Sequence, residues 1–507
     1  MTTSRPKLAL AVLSLGLFMT LLDLTIVNIA IPGITESLQA SLDQVLWVLN
    51  AYSLLYAVLL ITSGRLGDIL GPRNVFAAGI AIFTAASLVS GLAQNPAELI
   101  LARAAQGIGA AILAPQGLPI MLELFPADRR AGVFAIYGTI AGLAVVAGPT
   151  AGGFIVTHFG WRWIFFVNLP IGIATFALAL KLVPDLRPGR PHRLDLPGVL
   201  LATAGLLAVV FGLIEGQRYS WGAVAAGITI PEIIGGGLAL LAGFVVYQGA
   251  RQGQEPLLPF AVFTDRNFTL MAAVMCGMGF AMVGFFLPLT IYLQSVLGLS
   301  AIDAGLTIAP QPLAMFVASG IAAGLSQKVS GKYLLIPGLL TFAAGIAYVV
   351  WAAHADAGRW AFQPGLVASG VGLGFTWTPV FSLATRDLKP HLAGAASGVI
   401  NTIQELGSVI ASALIGALLQ HRLASNLHLP AGMPVEVARN LQQVTHAVFA
   451  QAFVDAMRPA LLLTVGVMVA AAILTGAVRR TPVHLPAWKA SSEAGPKTSS
   501  ASSSVSG

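Results

Sequence analysis

Charge is scarce in this chain: 9% of its 507 residues are Asp, Glu, Lys or Arg, whereas 56% are hydrophobic and the mean hydropathy is +0.83. Soluble domains carry about a quarter charged residues, so this composition excludes a soluble fold. Repeated apolar runs of about 20 residues leave one class, an all-α polytopic membrane protein. Cysteine is scarcer still. The single Cys276 excludes an internal disulfide, a cysteine zinc cluster or a thiol pair, and no metal site or cofactor is expected. No phosphate loop of the Gly-x4-Gly-Lys-Ser/Thr type occurs. Gly107-x-Gly109 lies deep in an apolar run, where it cannot cradle a phosphate, so ATP-driven work by this chain alone is not expected. Histidine and lysine are missing from the interior of every apolar run, which leaves an intramembrane hydrolase without a base for its nucleophile. The loops are too short for the soluble output domain of a sensor. A net charge of +7 does not indicate nucleic acid either, because the basic residues scatter over short loops instead of forming one patch.

Fourteen apolar segments are present, near 8–31, 46–64, 74–93, 98–121, 131–157, 162–183, 196–214, 230–249, 268–293, 303–325, 333–353, 361–382, 393–420 and 459–478. The first is too long for a signal-peptide core and lacks a small-residue cleavage site, so it is expected to stay as a helix. Basic residues set the orientation. With the N-terminus inside, the outer segments hold only Arg162, Arg218, Arg359, Arg422, Arg439 and Arg458. Arg103 falls within a span, and every other Lys and Arg falls in an inner segment. An even number of spans with both termini cytoplasmic produces that asymmetry. The stretch 64–79 aligns without gaps on 323–338: Leu66 meets Leu325, Arg73 meets Lys332, and Gly79 meets Gly338. These are inner turns after the second and tenth spans. The reading is two pseudo-symmetric six-helix bundles, 1–190 and 256–480, with two additional helices in 191–255. The Ser-, Ala- and Gly-rich tail 481–507 is expected to be disordered, and 421–457 to form an outer loop with a short surface helix. Paired bundles place a substrate site near the midplane.

Three charges lie inside spans and need a partner or a task, since each costs roughly 3 kcal/mol or more on insertion scales. Asp23 sits in the first span, with Thr25 and Asn28 making a polar stripe beside it. At 1.5 Å per residue, Asp23 lies about 12 Å below the outer end of its span and Arg103 about 8 Å below the outer end of the fourth. The two can pair across a central cavity, with Gln106 one turn from Arg103 lining the same space. Such a pair is either a proton-coupling device or a static ion pair. Glu405 lies near the midplane of the thirteenth span, with Asn401, Gln404 and Ser408 within a turn. It either binds a cation or proton, or stays protonated and hydrogen-bonded to Gln404 or a neighbouring helix. The histidines fall in loops or at helix ends, so any coupled proton must be carried by the carboxylates.

Several motifs in order resemble the major facilitator superfamily, in particular its fourteen-helix drug:proton antiporter branch. They are the Asp23 stretch, Gly64-x-Leu66-x-Asp68-x-x-Gly71-Pro72-Arg73 after the second span, and Arg103-x-x-Gln106-Gly107-x-Gly109 in the fourth. To these are added Gly142-x5-Gly148-Pro149-x-x-Gly152-Gly153 in the fifth, Trp161 to Pro170, and Leu287-Pro288-Leu289-x-x-Tyr292-Leu293-Gln294. The resemblance implies that Gly64, Arg65, Asp68, Gly71 and Arg73 form a cytoplasmic gating latch; the other reading is an ordinary positive-inside loop. The second copy carries Gln327 in place of Asp68. It also implies that Gly148, Pro149, Gly152 and Gly153 govern leak and direction of exchange, a role compatible with a packing kink. Family members often show Arg-Gln where this chain has Gln404-Glu405. The expected function is export of amphiphilic drugs or antibiotics coupled to proton influx by alternating access, with Asp23, Arg103 and Glu405 in proton coupling and Asn28, Gln106, Asn401 and Gln404 in the substrate cavity. The alternative is a proton-coupled carrier for one metabolite or siderophore. The expected partners are small-molecule drugs, protons and the cell-membrane bilayer. The protein would act as a monomer, with a periplasmic adaptor and outer-membrane channel only in a two-membrane bacterium.

Overall fold

A computed structural model of the chain describes residues 6–185, 194–216, 218–225, 227–253, 256–326, 328–386, 388, 392–427 and 446–478. Its first bundle contains α1 Pro6–Leu38, α2 Leu42–Leu70, α3 Pro72–Leu92, α4 Pro96–Leu124, α5 Ala127–Phe159 and α6 Trp163–Leu182. Next come α7 Leu196–Glu215 and α8 Ile230–Ala250. The last group is α9 Arg266–Val296, α10 Ile302–Leu325, α11 Gly331–Ala352, α12 Arg359–Thr385, α13 Ala393–Asn426 and α14 His446–Gly476. Among the described residues, thirteen helices are long and apolar enough to cross a bilayer. The 33-residue α5 is outside that set and lies against α1 and α10. The chain is an all-α, multi-pass membrane protein. A small antiparallel ribbon, Ala223–Ala225 against Ile228–Thr229, closes the turn between α7 and α8.

Local sequence sets the helix ends. Ser41 and Gln44 form a reciprocal capping box on α2, and Thr229 with Glu232 does the same on α8. These caps satisfy amide groups that the first turn leaves unpaired. Asn95 caps α4, with Pro96 at the first helical position. Gly71 ends α2 and starts α3 at φ 87°, in the region that a Cβ disfavours, so the tight turn between them needs glycine there. Pro288 lies inside α9, which closes through a π turn, Tyr292–Val296. The Tyr292 hydroxyl then donates to the His354 carbonyl oxygen at 2.6 Å, fixing the C-terminal end of α9 against that of α11.

The stretch 421–457 departs from the expected loop. α13 runs on to Asn426 and α14 begins at His446, because Leu423, Phe449 and Phe453 continue the buried apolar faces. The Asn426 amide donates to the Ala452 carbonyl oxygen at 3.2 Å, tying the two ends together. Residues 428–445 and the tail 481–507 lie outside the described residues.

The apolar interior divides into clusters. Phe268, Phe285, Phe342, Phe362 and Phe453 belong to one built between residues 262 and 478. Leu13, Tyr52, Phe76, Phe83 and Phe134 belong to another, drawn chiefly from residues 9 to 183. α7 packs against both α2 and α13, with Phe211 beside Trp47 at 6.1 Å between ring centroids. Only 17% of the apolar window of α8 is buried, and Leu238, Val245 and Val246 are exposed on it, which gives this helix to lipid. Its C-terminal end is tied to the start of α7 by Asp195, which accepts from Tyr247 at 2.9 Å and Gln248 at 2.6 Å. Burial alone would raise the Asp195 carboxyl, but hydrogen bonds from Gln248, the Gly198 amide and Tyr247, with the Arg251 guanidinium nearby, hold it below its ordinary value.

At Gly71 the backbone holds a conformation that residues with a Cβ rarely adopt. Gly71→Ala is expected to cost about 1–3 kcal/mol, read as a lowered unfolding midpoint of the purified protein in detergent.

Candidate functional site

A sealed polar cluster sits among α1, α2, α3, α4 and α6. Asp23 is fully buried and Arg103 is 1% exposed. The Arg103 guanidinium donates to one carboxylate oxygen of Asp23. The other oxygen accepts from Gln106 at 2.7 Å and Asn168 at 3.1 Å. Gln106 also accepts from Arg103 at 2.7 Å and donates to Ser87 at 2.8 Å, while Arg103 Nε reaches the Val48 carbonyl oxygen at 3.2 Å. The guanidinium lies 4.5 Å from the centroid of the Tyr52 ring, with Phe165 on another side. A desolvated ion pair survives only when its remaining lone pairs and protons are satisfied, and this shell supplies that. Gly107 matters for the same reason: a Cβ there would stand 3.0 Å from Tyr52 Cα, so glycine brings α4 close enough for Arg103 to reach α1 and α2.

The pair therefore forms inside one bundle, not across a central cavity. Gln106 turns into the cluster and does not line the cavity, because it completes the hydrogen bonding of Asp23. Asn28 is exposed, and its amide donates to the Leu24 carbonyl oxygen at 3.1 Å, back along its own helix.

The cavity lies between the bundles and has a volume of about 210 Å³. From the first bundle it takes Leu17, Leu21, Tyr56, Ala114, Leu118, Met121, Phe134, Tyr137 and Gly138. From the second it takes Met282, Met315, Trp377, Phe381, Ser397, Asn401 and Gln404. Phe134 stacks on Phe381 and Phe381 on Trp377, with centroids 5.6 and 5.9 Å apart, so an aromatic row crosses the bundle boundary. Glu405 is half-buried on α13 next to Gln404, within electrostatic reach of Tyr56 and Tyr52 on α2. The hydrogen bond from Gln404 that one reading gave it does not form.

At the C-terminal end of α2 and the N-terminal end of α13, the two helices meet through glycine. A Cβ on Gly64 would fall 2.6 Å from the Gly394 carbonyl oxygen and 3.1 Å from Gly398 Cα. Asp68 lies against Gly394 in the first turn of α13, where the helix dipole favours an anion; Arg65 is 3.9 Å from it. Arg73 pairs with Asp185 beyond the end of α6 at 3.0 Å. Its counterpart Lys332 donates to the carbonyl oxygens of Gly476 and Val478 at the end of α14. Each copy of the repeat thus ties its turn to the last helix of its group. Residue 327 lies outside the described residues.

The glycines of α5 face two ways. Gly148 and Gly152 meet Thr25 and Ile26 of α1, while Gly153 meets Ile302 of α10. The helix is unbroken through 148–149, and the Pro149 side chain lies outside the described residues.

Residues 13–412 match the family described as Major Facilitator Superfamily. The chain belongs to the major facilitator superfamily. It is 39% identical over 422 residues to an uncharacterized MFS-type transporter of Mycobacterium tuberculosis, covering 83% of this chain and 72% of the relative. It is 33% identical over 455 residues to the multidrug resistance protein Stp of the same species, covering 89% and 82%. The solved structure of the proton:xylose symporter XylE shares the fold at TM-score 0.63, with 14% identity and coverage of 95% and 98%. This is a family of transporters of small molecules, not of enzymes.

In this facilitator-superfamily protein, sequence reasoning missed Ser87, Asn168 and Tyr52 around the ion pair. Asn168 sits within the Trp161–Pro170 motif, which was a usable signal. Ser87 is one small residue among many on α3, and nothing local marks Tyr52. Arg103→Ala is expected to leave Asp23 buried without its cation and to cost about 3–5 kcal/mol. Thermal unfolding of the detergent-purified transporter checks it, with Asp23→Asn expected to destabilise in the same way because it leaves the buried Arg103 guanidinium without its anion.

Proposed function

We propose that this protein is a secondary active exporter of amphiphilic drugs or antibiotics, driven by protons entering the cell. The observation that carries the reading is the cavity between the bundles. Its walls are mostly leucine, methionine and aromatic rings, with few fixed polar groups, a surface that holds varied apolar molecules without hydrogen-bond readout. The multidrug resistance relative supports the same class.

In this reading the chain forms bundles 1–190 and 256–480, with 191–255 inserted and both termini cytoplasmic, and α5 completes fourteen spans. The bundles rock about the cavity. The contact of Gly64 and Asp68 with α13 is the inner latch. Asp23 carries the proton: protonation removes the anion that Arg103, Gln106 and Asn168 hold in place, and so shifts the balance between the two access states. The glycine faces of α5 let that helix slide between α1 and α10 without opening a leak. Glu405, beside the cavity, attracts cationic substrates.

Efflux measured in inverted membrane vesicles, with a panel of dyes and antibiotics and an imposed pH gradient, tests this. Asp23→Asn is expected to abolish gradient-driven transport while drug binding stays measurable; undiminished energised transport by this variant would remove Asp23 from the mechanism. Glu405→Gln is expected to move the accepted spectrum from cationic toward neutral drugs. An unchanged spectrum would assign Glu405 a structural role.

A further inference from the structure

The cavity and the sealed ion pair do not touch, yet drug and proton must sense one another if the exporter reading holds. α2 supplies a connection. Tyr56 lines the cavity. One helical turn away, Tyr52 stacks on it, with centroids 6.1 Å apart and planes tilted by 16°. Tyr52 in turn lies against the Arg103 guanidinium at 4.5 Å, and Arg103 holds Asp23. The Tyr52 hydroxyl is buried without a hydrogen-bond partner, so the ring is held by stacking and by the cation. A ring held that way follows its neighbours.

We infer that Tyr52 and Tyr56 are positioning residues that couple occupancy of the central cavity to the Asp23–Arg103 pair through stacked rings. The inference rests on the proton-antiport reading and specifies how its two sites communicate. A planar ligand against Tyr56 fixes that ring, which fixes Tyr52 and holds Arg103 on Asp23. Protonation of Asp23 frees the guanidinium, loosens Tyr52, and leaves Tyr56 less well set for the ligand. The ionisable groups facing this ladder are Asp23 on α1, Arg103 on α4, Tyr137 on α5 and Glu405 on α13. Asp23 is also faced by Gln106 on α4 and Asn168 on α6, both of which donate in turn to Ser87 on α3, and none of these titrates.

The test is binding of ethidium, a planar cation, to the purified full-length protein at pH 8 and pH 5.5, with every protein compared, the otherwise unaltered wild type included, carrying Glu405→Gln so that the carboxylate beside the cavity adds no pH dependence of its own. Wild type is expected to bind more weakly at the lower pH, by a factor on the order of 5–150, the range of typical site-to-site coupling. Tyr52→Phe keeps the ring and loses only an unpartnered hydroxyl, so its pH dependence should match wild type. Tyr52→Leu and Tyr56→Leu should bind ethidium with affinity nearly independent of pH. Wild-type pH dependence in both leucine variants overturns the ladder, as does loss of the dependence in Tyr52→Phe, which would point to the hydroxyl. Absence of ethidium binding by wild type overturns it too. Should Tyr52→Leu fail to fold, Tyr56→Leu, at the cavity wall, decides alone. Asp23→Asn separates the two levels. A flat response there with full dependence in the leucine variants removes only the ladder, whereas full dependence in Asp23→Asn removes the antiport reading beneath it.

Discussion

A carboxylate buried beside a guanidinium in a bilayer-spanning bundle constrains everything around it. Neither charge can remain alone at that depth, and the pair is tolerable only if its other hydrogen-bonding positions are filled. Four further residues from four helices meet that demand: Gln106, Ser87, Asn168 and the Val48 carbonyl. The first bundle is thereby pinned at one point where α1, α2, α3, α4 and α6 all converge. A change of charge at Asp23 alters contacts on all of them at once, which is what a switch between two packed arrangements requires.

The second constraint is how closely helices approach in lipid, where association relies on packing and interhelical bonds more than on exclusion of water. Small residues stand at each joint that matters. Gly107 brings α4 onto α2, Gly64 brings α2 onto Gly394 and Gly398 of α13, and the glycines of α5 face α1 on one side and α10 on the other. The α2–α13 and α5–α10 contacts run between helices of different bundles, whereas α5 meets α1 within the first.

Chemistry is divided between compartments. The Asp23–Arg103 pair is held in a sealed, hydrogen-bonded cluster, while the central cavity presents methionine, leucine and stacked aromatic rings drawn from both bundles, with Glu405 beside it. Separating the two keeps the cavity indifferent to the polar detail of a ligand. Any communication between them then passes through protein, and α2 has one tyrosine at the cavity wall and the next against Arg103.

Much of this was legible along the chain. Apolar run lengths, the distribution of arginine and lysine, and the two related turns give a multi-pass helical membrane protein, because a helix in hydrocarbon must satisfy its own backbone and leaves a continuous signature. Asp23, Arg103 and Glu405 stood out because charge inside such runs is rare. Their surroundings did not. Whether Arg103 faces a cavity or a closed cluster depends on rotation about the helix axis, and hydropathy is silent on that when all sides are apolar. Gln106 and Asn28 were placed in the cavity by proximity in sequence, and the fold turned one inward and the other away. Span boundaries and polar outliers are local properties, so the sequence by itself determined them. The choice of partners for Asp23, and the cavity shared by Tyr56, Phe134, Trp377 and Phe381, was made only in three dimensions, where residues far apart in the chain were brought into one packed interior.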